Sequence, residues 1–194
     1  MVMNQDYAYD NQRVKTGRTM IRGNQFEDGD LHLVVHLCIF NTKGEMLIQQ
    51  RQKDKEDFPN MWDISVGGSA LAGETPQQAI MREAQEELGI SFDLSETRPQ
   101  FTINFEEGFD DTFLVIADVD LNSLTLQEEE EVQDAKGASR QEFFQMMTEG
   151  SFIPYHLGKI QLCFDMLGQY GAYVNGIGAY TPEMLELPKD RTNP

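Results

Sequence analysis

Three glutamates lie close together in one short stretch of the chain. Glu83, Glu86 and Glu87 are spaced i, i+3 and i+4, so that in a helix their carboxylates share one patch. Like charges at this spacing repel one another and destabilise a bare helix. A divalent cation removes the repulsion, and clustered oxygen ligands suit Mg²⁺ or Mn²⁺. The spacing is compatible with a metal site, but on the helix alone the solvated face of an acidic helix is the commoner explanation.

The helix that must carry these glutamates is well defined by its ends. The sequence predicts it over Thr75–Leu88, with a capping box that begins at Thr75 and a glycine, Gly89, that ends it. Apolar residues recur every four positions and define its buried side, namely Ile80, Ala84 and Leu88. Because successive helical residues are about 100° apart, Glu83 and Glu87 fall beside this apolar stripe.

The spacing around the helix resembles the Nudix box, Gly-x5-Glu-x7-Arg-Glu-U-x-Glu-Glu-x-Gly-U, in which U is apolar. The match extends from Gly68 to Ile90, and every fixed residue type is present. The resemblance implies an α/β/α sandwich with a mixed, curved sheet. It also implies a hydrolase that splits a diphosphate linkage by water attack at phosphorus, with Mg²⁺ as cofactor and Mn²⁺ as a substitute.

The resemblance also assigns roles to residues of the box. The implied metal ligands are the carbonyl of Gly67 and the carboxylates of Glu83, Glu86 and Glu87. The implied catalytic residues are Glu83, Glu86, Glu74 and Arg82. Arg82 should orient the carboxylates, while Glu74 should support the preceding loop or the attacking water.

The general base varies across the family and can lie outside the box. The acidic run Glu128–Glu131 is a candidate for the base or for a distal metal ligand, with a solvated loop as the alternative. We assign Glu130 from this run to substrate binding. Arg51 and Lys55 correspond to diphosphate-binding positions of related enzymes and are also assigned to substrate binding, with ordinary surface cations as the alternative.

A closer resemblance, to the isopentenyl-diphosphate isomerase branch of the superfamily, lies upstream of the box. It rests on Leu31-His32, Phe40-Asn41, Lys43-Gly44, Arg51, Lys55 and the segment Phe58-Pro59-Asn60-Met61-Trp62. The isomerase has a catalytic Cys at the position of Gly67 and a metal-binding His at that of Ser69, and this chain has neither. His32 stands at another metal-ligand position, but a packed strand histidine is the alternative. We therefore interpret the chain as an isomerase-like Nudix hydrolase.

Two other functions stay open on the sequence alone. A Nudix fold can bind or sense a metabolite without catalysis, although such proteins usually lose the metal carboxylates. An isomerase would need a replacement for the missing thiol. The hydrolase is favoured, and the sequence does not separate nucleoside, sugar and isoprenoid diphosphates as substrates.

Strands and helices alternate along the rest of the chain. The predicted strands are Leu31–Phe40, Glu45–Arg51, Asp63–Val66, Phe101–Phe105, Thr112–Val119 and Val132–Ala138. Gly67-Gly68 should end the third strand, and Glu106–Asp111 should form an acidic loop. Two more helices are predicted over Arg140–Thr148 and Tyr155–Tyr170. This order predicts a mixed sheet covered by helices, in a domain over residues 31–172 with a polar extension over 1–30 and a loose tail over 173–194.

Composition limits the partners of this domain. The 194 residues carry a formal net charge of -18, which repels phosphate backbones and anionic lipids, so we expect no nucleic-acid or membrane partner. A small diphosphate substrate is compatible with this charge if a metal screens it. The sequence shows no signal peptide or membrane span, and Cys38 and Cys163 are typical of buried, reduced residues. We expect a cytoplasmic protein, for which a homodimer is compatible with the sequence.

Overall fold

The computed structural model describes residues 5–21, 26–126 and 132–173. The first part of the chain forms the strands β1 (Gln5–Tyr9), β2 (Lys15–Ile21), β3 (His32–Phe40), β4 (Met46–Arg51), β5 (Trp62–Asp63) and β6 (Val66–Ser69). The elements that follow are α1 (Pro76–Leu88), β7 (Phe101–Phe105), β8 (Gly108–Ile116), β9 (Val132–Ala138), α2 (Arg140–Glu149) and α3 (Leu157–Asp165). In these ranges no helix combines the length and apolar character needed to cross a bilayer.

The predicted sandwich is confirmed. Strands β3 to β9 form one mixed sheet, in which β3 runs parallel to β8 and antiparallel to β6, and β4 pairs with β5 and β9. Side chains alternate between the two faces of β3. One face packs against α1, through a core that includes Leu33, Val35, Leu37, Ile80 and Leu88. The other face packs against α2 and α3, through a core that includes Phe40, Phe143, Phe152 and Ile160.

The sheet opens between β3 and β4. These strands pair at one position, Phe40 opposite Met46, and beyond it β3 pairs with β6 while β4 pairs with β5. Ser65 lies where the chain crosses from β5 to β6. Its hydroxyl accepts a hydrogen bond from the backbone N–H of Ile39 at 2.8 Å and donates one to the carbonyl of Leu47. These bonds satisfy buried backbone groups that the separated strands cannot pair with each other.

Helix α1 has the boundaries and burial that its sequence predicts. Thr75 and Gln78 form a reciprocal capping box, and Gly89 ends the helix in the left-handed conformation at a φ of 69°. Its apolar stripe is fully buried. Glu83 and Glu87 lie beside that stripe and are only 8% and 3% exposed, so the solvated-face alternative is wrong for these two residues.

Three expectations about neighbouring elements are wrong. Gly67 and Gly68 lie inside β6 because both pair with β3. The acidic loop is confined to Glu106 and Glu107, since β8 already begins at Gly108 and pairs with β3 and β7. Asp110 and Asp111 can occupy a strand because Lys159 and Arg13 neutralise their carboxylates. The last helix, α3, is shorter at both ends than the predicted Tyr155–Tyr170.

The predicted polar extension is instead a hairpin that packs on the domain. Strands β1 and β2 pair with each other, and β1 forms bridges to Leu31 and Leu71. Ala8 and Tyr9 are buried, and Arg13 forms an ion pair with Asp111 of β8. This burial on one side of a largely polar segment was not visible in its composition. Residues 174–194, most of the predicted tail, lie outside the described residues.

Candidate active site

Arg82 connects three carboxylates of the box. Its Nε and Nη2 donate to the two carboxylate oxygens of Glu74 at 2.8 and 3.0 Å. Its Nη1 lies 2.8 Å from Glu86 Oε2 and 2.9 Å from Glu83 Oε1. Burial lowers the pKa of Arg82, but the hydrogen bonds that it donates to Glu74 and the charge of Glu83 outweigh burial and raise the pKa overall. The guanidinium therefore stays charged and holds the carboxylates around it.

Glu83 occupies the space that Gly68 leaves. A Cβ built on Gly68 would lie 2.1 Å from Glu83 Oε1 and 2.2 Å from its Cδ, which is too close for any side chain at this position. The glycine of the box is therefore required by the position of the Glu83 carboxylate, on the face of β6 that packs against α1.

Glu87 reaches the opening between β4 and β6. Its Oε2 accepts a hydrogen bond from Gln49 Nε2 of β4 at 2.9 Å and lies 3.4 Å from the backbone N of Gly67 in β6. The second contact also brings the Gly67 peptide to the acidic cluster. A buried carboxylate is therefore fixed where the two halves of the sheet separate.

The residues of this cluster fit a hard divalent cation by their chemistry. Three carboxylates, those of Glu74, Glu83 and Glu86, contact one guanidinium, and Glu87 lies one helical turn after Glu83, so the cluster has an excess of negative charge, part of it buried. Buried excess charge is costly unless a counter-charge compensates it. Within the described residues, no three His, Cys, Asp or Glu side chains already converge on one metal position. Glu83 and Glu86 both contact Arg82 Nη1, so the guanidinium holds these two carboxylates beside each other.

Comparisons with known proteins agree with this geometry. The family model for the NUDIX domain matches residues 30–155. The chain belongs to the Nudix family. An uncharacterised Nudix hydrolase of Listeria monocytogenes is 57% identical over 143 residues, which cover 74% of this chain and 84% of that protein. A second uncharacterised Nudix hydrolase, from Listeria innocua, is 53% identical over the same length. The chain is therefore a Nudix pyrophosphohydrolase.

Two further comparisons concern the fold of this Nudix hydrolase and its likeness to the isomerase branch of the superfamily. A solved structure of a Deinococcus radiodurans protein superposes with a TM-score of 0.67 at 20% identity, covering 82% of this chain and 98% of that one. An isopentenyl-diphosphate isomerase of Corynebacterium diphtheriae is 39% identical over 66 residues, which cover 34% of this chain and 36% of that protein. The likeness to the isomerase is thus local.

The residues predicted to bind substrate lie at the end of β4, in the loop after it, and outside the described residues. Arg51 is the last residue of β4, where the pairing with β9 changes register, and its Nε lies 3.1 Å from the carbonyl of Asp57. Lys55 lies in the loop that follows β4. Glu130, with the whole run Glu128–Glu131, lies outside the described residues.

His32 is a packed residue in this structure. Its ring lies between those of Phe26 and Phe105, at centroid distances of 5.0 and 5.5 Å. Its Nδ1 is 3.6 Å from Asp6 Oδ2 of the N-terminal hairpin. The packed alternative is therefore the one that the structure shows.

A buried polar cluster on the opposite face of β6 was missed by the sequence analysis. His36 Nδ1 lies 2.7 Å from Asp110 Oδ1, and Lys159 Nζ of α3 lies 2.6 Å from Asp110 Oδ2. None of these residues belongs to a motif, although a lone lysine among apolar residues of a helix is a weak signal. The cluster links β3, β8 and α3 beneath the site.

This cluster also explains why the Nudix hydrolase has glycine at the isomerase's cysteine position. Gly67 lies directly opposite His36, and a Cβ at Gly67 would be 2.6 Å from His36 Cδ2 and 2.9 Å from its Nε2. The imidazole of His36 thus fills the space that a cysteine side chain at position 67 would need. The missing thiol is part of a repacked site, not an isolated substitution.

The buried cluster of His36, Asp110 and Lys159 predicts that the free energy of unfolding decreases at acidic pH. Burial by itself raises the pKa of Asp110, but the charges and hydrogen bonds of His36 and Lys159 lower it from 3.8 to about 2. Since the folded pKa is below the unfolded one, the stabilisation is complete above pH 3.8 and is lost as the pH falls towards 2. The difference corresponds to about 2 kcal/mol. Urea unfolding between pH 6 and pH 2 should show this loss, and Asp110→Asn should reduce the slope; an equal slope in both proteins would contradict the prediction.

Proposed function

We propose that this Nudix hydrolase uses Mg²⁺, with Mn²⁺ as a substitute, to hydrolyse a small nucleoside, sugar or isoprenoid-type diphosphate by water attack at phosphorus. The observation that carries the proposal is the position of Glu87, a buried carboxylate fixed between β4 and β6 beside the carboxylates around Arg82. This arrangement provides hard oxygen ligands next to an opening in the sheet, as diphosphate chemistry requires.

Each residue of the cluster has a separate task in this proposal. When bound, the metal neutralises diphosphate charge and makes water a better nucleophile at neutral pH. Glu83, Glu86 and Glu87 hold it, together with the carbonyl of Gly67. Arg82 orients Glu83 and Glu86 before the metal binds. Because both carboxylate oxygens of Glu74 accept hydrogen bonds from Arg82, Glu74 fixes the guanidinium relative to the loop before α1.

The substrate class follows from charge and from the packing at Gly67. A net charge of -18 disfavours long nucleic acids and favours a small diphosphate whose charge the metal screens. Arg51 and Lys55 bind its outer phosphate in this proposal. An isomerase reaction is disfavoured because His36 occupies the place of the thiol.

The proposal is tested by phosphate release from a panel of nucleoside, sugar and isoprenoid diphosphates. Each compound is incubated with and without Mg²⁺, and with and without an added phosphatase. We expect Mg²⁺-dependent turnover of one class, and phosphate seen only with the added phosphatase would mark cleavage between the phosphates of a terminally substituted diphosphate. Saturable binding of a compound without hydrolysis would favour a metabolite sensor, and dimethylallyl diphosphate formed from isopentenyl diphosphate would favour the isomerase.

A further inference from the structure

Gln49 is a buried polar residue next to the acidic cluster that has no place in the Nudix box. It lies on β4, is 3% exposed, and donates from Nε2 to Glu87 Oε2 at 2.9 Å. Its carbonyl oxygen, Oε1, is fully buried and has no hydrogen-bond partner among the described residues. The same side chain thus makes one strong contact with the site and leaves an acceptor unused.

The orientation of the Gln49 amide follows from its neighbour. An ionised carboxylate only accepts hydrogen bonds, so the amide must turn its NH₂ group towards Glu87. Oε1 is then forced to point away from Glu87 Oε2. The position of the unused acceptor is therefore a consequence of the hydrogen bond to Glu87.

A buried acceptor without a hydrogen bond lowers the stability of the fold, and an apolar side chain at position 49 would avoid this cost. Leu47, two positions earlier on the same face of β4, is a buried apolar residue in the core beneath α1. The glutamine at position 49 therefore carries this cost for its donor end, the Nε2 that meets Glu87.

We propose that Gln49 is a positioning residue of the metal site: its Nε2 holds the carboxylate of Glu87 in the orientation in which that carboxylate binds the divalent cation. The inference rests on the proposed function, because it requires a metal at Glu87. Substitution of a residue that orients a metal ligand typically lowers metal affinity by about 10- to 100-fold.

The test measures Mg²⁺ binding to the full chain by calorimetry and compares Gln49→Met with wild type. Methionine has a similar length and is also unbranched, so it preserves packing while removing the hydrogen bond to Glu87. We expect the dissociation constant for Mg²⁺ to rise about 10-fold or more, with a melting temperature in EDTA close to that of wild type. Turnover lost at low Mg²⁺ should return at high Mg²⁺.

A second variant and a matched control separate metal binding from folding. Gln49→Glu retains an acceptor but places a carboxylate against Glu87, so its melting temperature in EDTA should be lower than that of wild type. Addition of Mg²⁺ should raise this melting temperature by more than it raises that of wild type. Gln145→Met removes a hydrogen bond of 2.8 Å from a glutamine to Glu149 on the exposed face of α2, and it should change neither quantity.

The outcomes distinguish this inference from the proposed function. A Mg²⁺ dissociation constant for Gln49→Met within twofold of wild type would overturn the role of Gln49 alone. A Gln49→Met protein that melts much lower in EDTA but binds Mg²⁺ normally would likewise assign the residue to folding and overturn the inference. A wild-type protein that binds no Mg²⁺ would overturn both.

Discussion

Replacement of Glu87 by glutamine is expected to lower kcat/KM for the diphosphate substrate by about 100-fold or more. The substitution preserves shape but removes a negative charge from a buried position, where electrostatic interactions are strong. The new amide would also face the N–H groups of Gln49 and Gly67, which now donate to or approach one carboxylate oxygen. The measurement is Mg²⁺-dependent phosphate release from the substrate that the panel identifies.

The control for this prediction is Glu149→Gln. Glu149 also accepts a hydrogen bond from a glutamine, Gln145, but on the exposed face of α2, so its loss should leave turnover within twofold of wild type. Equal turnover in Glu87→Gln and wild type would exclude the proposed metal role of Glu87. The same result for Glu83→Gln would remove the whole cluster from the mechanism.

Replacement of Asp110 by alanine is expected to lower the free energy of unfolding by about 3–5 kcal/mol. Asp110 is the shared partner of His36 and Lys159, and Lys159 is only 8% exposed. Without the carboxylate, the lysine must hold its charge in a buried place or lose it. Since domains of this size are stable by about 5–15 kcal/mol, urea unfolding at pH 7 should show a large shift of the midpoint.

An exposed ion pair supplies the comparison for Asp110. Arg140 donates to Asp165 at 2.6 Å, but the two side chains are 46% and 57% exposed. Asp165→Ala should therefore lower the free energy of unfolding by less than about 1 kcal/mol. If Asp110→Ala proved as mild as Asp165→Ala, the cluster beneath β6 would not be a main source of stability.

Local features of the sequence determined the helix and the chemistry of its glutamates. The capping box at Thr75, the glycine at its end and the four-residue apolar spacing are all contained within α1 and its two caps. Burial of Glu83 and Glu87 follows from the same spacing, because angular position on a helix is fixed by sequence separation. The Nudix box could be recognised for the same reason, since its residues occupy one continuous segment.

The paired strands were also largely predictable, but their ends were not. The predicted bounds of β3, β4, β7 and β9 agree closely with those in the structure. Gly67, Gly68 and the acidic start of β8 looked like turn and loop residues because their partners are distant in sequence. Backbone pairing with β3 and ion pairs with Lys159 and Arg13 overrode local preference.

Only the tertiary structure decided which residues support the site. Gln49 meets Glu87 across 38 positions, His36 meets Asp110 across 74, and Asp110 meets Lys159 across 49. No spacing rule connects residues so far apart, since their contact depends on where β3 and β4 separate and on how α3 packs. The sequence by itself determined the Nudix family and the carboxylates of the reaction. The opening of the sheet decided what holds Glu87, and the place of His36 opposite position 67 decided that a side chain there would meet the imidazole.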